Sequence, residues 1–207
     1  MKKLLIIGAS GHGRVIADCA EKMACYEQIA FVDAIYPEKT SNLHWPVIGD
    51  DTFWQKHIKD FEIVVGIGNN DIRLRITRDI IARGGKLATI IHPSAVVSEH
   101  TDIGAGSVFF ASSVVNIGCK LGIATIVNTG ASVDHDCEIA DGCHIAPGAN
   151  ISGGAIIGEK SWLGIGSQVI ELIKIGDSSY IGAGATVVSD LAGHATYVGT
   201  PATQLRK

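Results

Sequence analysis

The chain has few aromatic residues and no long hydrophobic run. Only 6% of its 207 residues are Phe, Trp or Tyr, so its core must be mainly aliphatic. The apolar run near the start, Leu4–Ile7, is shorter than the roughly 7–15 residues of a signal-peptide core. No stretch approaches the roughly 18–20 apolar residues that a membrane span needs. We therefore expect a cytoplasmic protein with no membrane span.

Basic charge and paired cysteines are also scarce. The formal net charge is −4 at pH 7, which argues against a nucleic-acid partner held through a basic surface. The five cysteines are odd in number and include no Cys-x-x-Cys pair. That usage favours reduced thiols over a disulfide framework.

Glycine is abundant, and the charge changes along the chain. There are 25 glycines but only 5 prolines and no Gly-x-y period, which excludes collagen. Acidic and basic residues balance over residues 1–100, whereas over 101–191 nine acidic residues face three basic ones. This break near residue 90 predicts a domain boundary. We expect domains at 1–90 and 91–191, followed by a tail at 192–207.

A six-residue repeat runs through the second half of the chain. Seventeen consecutive sixth residues, from Ile91 to Val187, are all Val, Ile, Leu or Phe. The residue four places after each is small in fifteen of the seventeen cases, with Ile173 and Leu191 as the exceptions. A period of six is typical neither of an α-helix nor of an alternating strand.

The repeat predicts a parallel β-solenoid. The large aliphatic side chain fills the interior, the small residue fits a tight corner, and glycine supplies the backbone angles of the corners. With three hexapeptides to a turn, residues 91–191 form between five and six coils. An ordinary β-sandwich would not keep an unbroken period across its turns.

The first ninety residues alternate between strand and helix patterns. Apolar runs at Lys3–Ile7, Ile29–Val32, Ile63–Ile67 and Leu87–Ile91 predict four strands, with helical spacing after the first and the third. This alternation predicts a small parallel α/β unit, about half of a Rossmann domain.

A glycine-rich turn, Gly8–Gly13, joins the first strand to the first helix. Such a turn is a site for a phosphate or pyrophosphate, and Asp33, after the second strand, would contact a ribose or base. The order is G-x-x-G-x-G rather than G-x-G-x-x-G, so a nucleotide carrier fits better than NAD. The alternative is that the turn only closes a tight β–α corner.

The repeat resembles that of the hexapeptide-repeat acyltransferases, whose pattern is [LIV]-G-x-x-[small]-x. The resemblance implies a left-handed parallel β-helix, a homotrimer, and acyl-CoA lying between neighbouring prisms. Many members of that family extrude a loop from the helix, whereas this repeat runs without one.

The half-Rossmann unit followed directly by the repeat is similar to the PglD/NeuD group of sugar acyltransferases. The matching residues are Gly8–Gly13, Asp33, Gly68-Asn69-Asn70 with Arg73, His135-Asp136, His144 and Val198–Ala202. The resemblance implies acetyl-CoA-dependent N-acetylation of the 4-amino group of a UDP- or dTDP-linked amino sugar in glycan biosynthesis. It implies acetyl-CoA as the co-substrate and no metal.

The resemblance also implies roles for individual residues. His135 would be the general base and Asp136 its acidic partner, since a histidine has the pKa for this task. His144 would contact the acetyl carbonyl or the oxyanion, from its own chain or across an interface. The substrate residues would be Gly8, Ser10, Gly11, His12, Gly13, Asp33, Gly68, Asn69, Asn70 and Arg73. The coenzyme A residues would be Gly164, Ile165, Gly166, Gly182, Ala183, Gly184, Gly199 and Pro201, with the tail closing over the coenzyme.

Three other functions stay open at this stage. O-acetylation of a sialic acid or related hydroxyl would use the same base. An accessory subunit of a sugar synthase would need no base, so the His135-Asp136 pair argues against it. A zinc hydratase would need three histidines in one ring, but His100, His135 and His144 occupy different places in their hexapeptides. Sugar specificity is expected within 33–75, above all in Ala34–Trp45.

Overall fold

The computed structural model describes residues 2–205. The chain divides into two compact units, Met1–Pro93 and Ser94–Lys207. The predicted tail at 192–207 ends in two residues that lie outside the described range. Within residues 2–205, every helix is too short or too polar to cross a membrane.

The first unit is built on a four-stranded parallel sheet with the strand order β2-β1-β5-β6. Its elements are β1 (Lys2–Ile7), α1 (Gly11–Lys22), β2 (Tyr26–Val32), β3 (Ser41–Asn42), β4 (Trp45–Pro46), α2 (Phe53–Lys56), β5 (Glu62–Val65), α3 (Asn70–Ala82), β6 (Lys86–Leu87) and β7 (Ile90–Ile91).

The central strands are covered on both faces. All four residues of β5 are buried, and so are the last four of β1, as is typical of a parallel sheet. The core gathers Leu5, Ile7, Ala30, Val32, Trp54, Ile63, Val65 and Ile80. Both long helices begin at a side-chain cap: Ser10 accepts the amide of Gly13, and Asn69 accepts the amide of Ile72.

The parallel α/β unit confirms the prediction, with differences at strand ends. The third strand stops at Val65, because at Gly66 the chain passes so close to Gly13 that a Cβ would lie 2.9 Å from its Cα. The predicted strand Leu87–Ile91 is divided into β6 and β7, since β6 pairs with β5 over only two residues. The sequence did not predict the β3–β4 hairpin, which begins within Ala34–Trp45 and ends at Pro46.

The second unit is a β-solenoid of about six turns, as the repeat predicts. A two-residue strand recurs every six residues up to β23. The strands are β8 (Val96–Val97), β9 (Asp102–Ile103), β10 (Val108–Phe109), β11 (Val114–Val115), β12 (Lys120–Leu121), β13 (Ile126–Val127), β14 (Ser132–Val133), β15 (Glu138–Ile139), β16 (His144–Ile145), β17 (Asn150–Ile151), β18 (Ile156–Ile157), β19 (Trp162–Leu163), β20 (Gln168–Val169), β21 (Lys174–Ile175), β22 (Tyr180–Ile181), β23 (Thr186–Val187), β24 (Thr196–Val198) and β25 (Thr203–Gln204).

These strands form three sheets, which are the faces of a prism. Face I contains β10, β13, β16, β19, β22, β24 and β25, face II runs from β8 to β23, and face III runs from β9 to β21. From β8 to β23, neighbouring strands of a face pair in parallel and lie eighteen residues apart, as Val127 and Ile145 do. At the end of face I, β22 pairs with β24 sixteen residues on, and β24 pairs antiparallel with β25. The second residue of each strand points inward; Val127, Ile145, Leu163 and Ile181 are fully buried. The first residue of most strands is exposed or half-buried, whereas in β10, β13 and β16 it is buried as well.

The corners use glycine in two different ways. A positive φ recurs at every sixth residue from Gly106 to Gly184, the third residue after each inner aliphatic, and Asp136 and Leu172 are among the non-glycine residues there. The glycines directly after the aliphatic have no positive φ. At Gly104, for example, a Cβ would lie 2.3 Å from the backbone of Gly122, so that position needs glycine for space.

Candidate active site

The glycine turn of the first unit packs β1 tightly against α1. Gly8 has φ +105°, and a Cβ on Gly13 would lie 2.1 Å from the carbonyl oxygen of Gly8. Gly11, by contrast, has no atom within 4 Å of where its Cβ would be. The turn therefore closes the corner and leaves one side of Gly11 open at the amino end of α1, where an anion is favoured.

Asp33 holds this turn in place. Its carboxylate accepts the amide of Ala9 at 2.6 Å and, through the other oxygen, the amide of Ile35 at 3.1 Å. The predicted contact of Asp33 with a ribose or base would therefore share oxygens that already bind the backbone.

Arg73 is turned into the protein. It is 1% exposed, and its guanidinium donates to the carbonyls of Ile67 and Gly68 and to Oδ1 of Asn70 at 2.8–3.2 Å. Asn69 caps α3. The predicted substrate residues Asn69, Asn70 and Arg73 thus shape the loop after β5. Arg73 in this arrangement supports the loop rather than facing a phosphate.

A cavity of about 390 Å³ lies at the carboxyl ends of β1, β2 and β5. Of the predicted substrate residues it is lined by Gly8, Ser10, Asp33 and Gly68. Its wall also holds Ala34, Asp51, Ile72 and Arg75. All four lie within 33–75, where specificity was expected, but none of them was named individually as a site residue. Helical spacing from Ile72 and Ile76 places Arg75 near the same side of α3, and this spacing is the signal that could have found it.

The segment after β2 is fastened to the glycine turn. Lys39 donates to the carbonyl of Ala9 at 2.6 Å, and the amide of Asn42 donates to the carbonyl of Ser10 at 3.2 Å. Asn42 is buried and accepts from Arg14 at 2.9 Å. The stretch expected to carry specificity is therefore held against the glycine turn by side-chain hydrogen bonds, which the hydrophobic pattern of the sequence does not indicate.

His12 lies in the first turn of α1, partly buried. Burial, and after it the charge of Arg73, lowers the pKa of His12 to about 4. The imidazole is therefore neutral near pH 7 and offers a neutral hydrogen-bonding group. It does not line the cavity described above.

His135 and Asp136 form a contacting pair in the second unit, at the edge between face II and face III. Nδ1 of His135 lies 2.9 Å from Oδ2 of Asp136, and the histidine side chain is 57% exposed. Neighbouring side chains of an extended strand point to opposite faces. The left-handed backbone of Asp136, with φ +58°, brings these two together.

The pair is supported by a second carboxylate. Oδ1 of Asp134 accepts the backbone amide of His135 at 2.8 Å and the amide of Asn116 at 2.7 Å. The hydrogen bond to Asp136, followed by the charge of Asp134, raises the pKa of His135. A more basic imidazole with a fixed tautomer is suited to accept a proton.

A cavity of about 490 Å³ opens beside this pair. It is lined by Asp134, His135, Asp136, Ser152, Gly153, Gly154, Glu171 and Leu172, which belong to three successive coils of the same edge. Leu172 is 73% exposed. The cavity thus has a polar floor at the dyad and an apolar rim.

His144 lies on face I, away from His135. Its side chain is 4% exposed, contacts the amide of Asn128 at 2.9 Å, and packs on Trp162 with ring centroids 4.2 Å apart. Trp162 in turn stacks on Tyr180. Face I is opposite the edge between faces II and III in the cross-section of the prism. One chain therefore does not bring the two histidines together.

The residues predicted for coenzyme A share one edge, between face I and face II. Gly164, Gly166, Gly182 and Gly184 donate their amides to carbonyls of neighbouring coils or of the closing segment. These four backbone amides are thus already engaged within the chain. Ile165 and Ala183 occupy the tips of the same corners. Gly199 and Pro201 follow β24, where the carbonyl of Gly199 accepts the amide of Thr186.

Face II carries a row of polar side chains between these two edges. The hydroxyl of Ser132 donates to Asn150 at 2.7 Å, and the amide of Asn150 donates to Gln168 at 3.3 Å. Each residue lies eighteen positions after the one before it. Among residues 2–205, no group of three or more His, Cys, Asp or Glu side chains is arranged to hold a metal ion.

Comparison with known proteins places this architecture. Residues 3–80 match the family model of the PglD N-terminal domain. The acetyltransferase domain of PglB from Neisseria gonorrhoeae FA1090, solved with acetyl coenzyme A, is 41% identical, with a TM-score of 0.95 and 99% of each chain covered. The chain belongs to the PglD/NeuD family of hexapeptide-repeat sugar acetyltransferases.

Other PglD/NeuD relatives differ in their named sugars. PerB from Caulobacter crescentus, solved with CoA and GDP-perosamine, is 34% identical with a TM-score of 0.92, covering 100% of this chain and 98% of that one. UDP-N-acetylbacillosamine N-acetyltransferase of Bacillus subtilis (strain 168) is 31% identical over 113 residues, which are 54% of this chain and 52% of that protein. The chain thus matches about half the length of this curated relative.

Proposed function

We propose that the protein transfers the acetyl group of acetyl-CoA to the 4-amino group of a nucleotide-linked amino sugar. The observation that carries this proposal is the 2.9 Å contact between His135 and Asp136 beside a cavity of about 490 Å³. The named activities of the similar proteins, which act on nucleotide-linked bacillosamine and perosamine, support it.

The proposed chemistry uses His135 as a general base. Neutral Nε2 takes the proton from the amine as the amine nitrogen attacks the thioester carbonyl. Asp136 keeps the proton on Nδ1 and stabilises the imidazolium that forms. When the tetrahedral intermediate collapses, the C–S bond breaks and the imidazolium returns the proton to the departing thiolate. The products are an amide and free coenzyme A.

The nucleotide part of the substrate is assigned to the cavity of the first unit. The open side of Gly11 and the amino end of α1 suit a diphosphate. Arg75 lines that cavity and is exposed, whereas Arg73 is buried. We therefore assign the cationic contact with the diphosphate to Arg75, in place of the substrate contact that the resemblance implied for Arg73. The acetylation assay below compares carriers that contain uridine, thymidine or guanosine.

Acetyl-CoA is assigned to face II, between the edge that carries Ile165 and Ala183 and the edge that carries His135. The polar row Ser132–Asn150–Gln168 spans this face. A thioester extended across it would bring the acetyl group to the dyad while the coenzyme remains at the other edge, near Gly199 and Pro201.

A homotrimer in the cytoplasm completes the proposal. Leu172 and Ile165 are 73% and 62% exposed at the two edges of face II. Contact with a neighbouring prism would cover both. It would also supply the second wall that the open cavity beside His135 does not have in one chain. Light scattering on purified protein tests the assembly.

The decisive experiment is an acetylation assay read by mass. The protein is incubated with acetyl-CoA and UDP-, dTDP- or GDP-linked 4-amino sugars, with a sialic acid in a parallel reaction. We expect a gain of one acetyl group on an amino sugar. Turnover of the sialic acid alone would overturn N-acetylation and leave O-acetylation; no turnover of any acceptor would leave the accessory-subunit reading.

The variant His135→Ala, assayed beside His100→Ala, tests the base. His100 lies on the same edge, is 66% exposed and is also next to a carboxylate, Glu99. We expect His135→Ala to lower turnover at least about 100-fold and His100→Ala to leave it unchanged. Full activity of His135→Ala would remove His135 as the base.

A further inference from the structure

The side chains of the dyad lie against the coils before and after their own. Gly153 follows His135 by eighteen residues, in the next coil. A Cβ on Gly153 would lie 2.6 Å from Nε2 and 2.7 Å from Cε1 of His135. The imidazole therefore occupies the space that a side chain at 153 would need.

The carboxylate of Asp136 lies equally close to a glycine, but in the preceding coil. Gly118 precedes Asp136 by eighteen residues, in the previous coil. A Cβ on Gly118 would lie 2.5 Å from Oδ1 of Asp136. The dyad is thus bounded by two glycines, with the imidazole over one and the carboxylate over the other.

The fold itself does not demand glycine at these two positions. Glu171 occupies the place of Gly153 in the next coil and Ile117 occupies it two coils earlier, while Leu172 occupies the place of Gly118 three coils later. Leu172 adopts the positive φ that Gly118 also has. The repeat thus accepts larger residues at both positions in other coils. At Gly118 and Gly153 the space that a side chain would take is filled by the dyad instead.

We propose that Gly118 and Gly153 are positioning residues, which leave the space that fixes the His135 ring and the Asp136 carboxylate in contact. This proposal rests on the proposed function for its effect on activity. The arrangement of the dyad itself can be measured without turnover.

The charge environment of His135 limits what each substitution can change. Asp136 and Asp134 face the imidazole from its own corner, Cys119 from the preceding coil, and Glu171 lines the same cavity. Because the hydrogen bond that His135 donates to Asp136 is the largest influence that raises the pKa of His135, displacing that carboxylate should lower the pKa. Moving the ring away from Asp136 should do the same.

The test compares Gly118→Ala with Gly130→Ala. Gly130 has a similar positive φ of +64°, but nothing lies within 4 Å of its Cβ position, so it reproduces the backbone strain without the contact. The imidazole of His135 is titrated by NMR, with its signal identified by its loss in His135→Gln. Gly153→Ala, whose φ is not positive, is titrated in parallel.

We expect the pKa of His135 to fall in Gly118→Ala and Gly153→Ala and to stay at the wild-type value in Gly130→Ala. In the acetylation assay, kcat should fall at least about 10-fold in the first two variants, with the KM for acetyl-CoA within about twofold. An unchanged His135 pKa in both folded variants would overturn the proposal. If the titration shifts but His135→Ala remains active, the positioning stands and the proposed base fails.

Discussion

The left-handed backbone at Asp136 has a chemical consequence. A non-glycine residue at positive φ is uncommon, and aspartate is among the residue types that tolerate it best. Here φ is +58°, and the turn that results places a carboxylate against the imidazole of the preceding residue. The corner geometry of the repeat thus brings an imidazole and a carboxylate into contact from two consecutive residues.

Replacing that carboxylate should move the pH profile. Asp136 raises the pKa of His135, and the base works only when neutral, so wild-type kcat/KM should fall as the pH drops through this raised pKa. In Asp136→Asn the acid limb should move to lower pH, with a maximum at least about 10-fold lower. Asp102→Asn, an exposed aspartate on face III, serves as the control. An acid limb at the same pH in both variants would contradict the pairing.

Arg75 offers a test at the nucleotide end. A hydrogen bond to a charged group contributes about 1.5–3 kcal/mol, so Arg75→Ala should raise the KM for the nucleotide sugar at least about 10-fold. The KM for acetyl-CoA should not change. Arg78→Ala, an exposed arginine one turn along α3 that does not line the cavity, is the matched variant. Equal KM values in the two variants would show that Arg75 does not bind the substrate.

At the residue scale, the sequence could indicate which residues lie near the cavity better than where their side chains point. The pattern drew attention to Gly68-Asn69-Asn70 with Arg73, and these residues do form the loop beside the cavity. It could not show that the Arg73 guanidinium turns inward to three acceptors, because the side-chain direction depends on which carbonyls the fold leaves free. The direction of the Asp33 side chain was equally hidden in the sequence. Its position predicted a ligand contact, whereas its carboxylate binds the backbone of the glycine turn.

At the scale of the element, the eighteen-residue register organises the solenoid. The inner aliphatics of one face stack in a column, as Ile139, Ile157 and Ile175 do on face III, each at most 2% exposed. The coils on either side of a given layer are held in register by their own pairing. They therefore cannot move into a cavity that a truncated side chain leaves in that layer.

The strand β18 provides a matched pair for this column. Ile157 is 1% exposed and points inward, while its neighbour Ile156 is 39% exposed and points outward. Ile157→Ala should lower the free energy of unfolding by about 2–5 kcal/mol, and Ile156→Ala by much less. Urea denaturation at a fixed protein concentration measures both. Similar losses in the two variants would mean that the column is not the main source of stability.

The eighteen-residue register can be read from the sequence, and it carries more information than the inner column alone. The period of six predicted the inner column and the small corner residues, and the structure confirms the solenoid. Counting eighteen residues from His135 and Asp136 also points to Gly153 and Gly118, since side chains at a corner meet the same corner of the next coil. The β3–β4 segment could not be found in this way. It is held by hydrogen bonds between residues about thirty positions apart, which no short sequence period indicates.

At the scale of the whole molecule, His135 and His144 raise the question of shared sites. They lie on opposite sides of one prism, so a site that uses both must take them from two chains. Neither His135→Ala nor His144→Ala should then be active alone. Co-expressed in equal amounts, they should recover about one quarter of wild-type activity, because about one interface in four combines the two intact histidines.

The control for this mixture is a co-expression of His135→Ala with itself, carried through the same purification. An active His144→Ala would assign His144 to the stack with Trp162 and Tyr180 alone. If both variants are inactive and their mixed assemblies show no recovery, both histidines act within one chain, against the geometry of the prism.

The i-to-i+18 pairing also bears on how the chain reaches this form. Parallel sheets ordinarily need contacts between distant parts of a chain and fold slowly for that reason. Here each coil contacts only the coil before and the coil after, so the sequence separation of its contacts does not grow with the length of the prism. Folding can therefore begin within a few coils and spread in both directions, and a ribosome can release the solenoid one completed turn at a time.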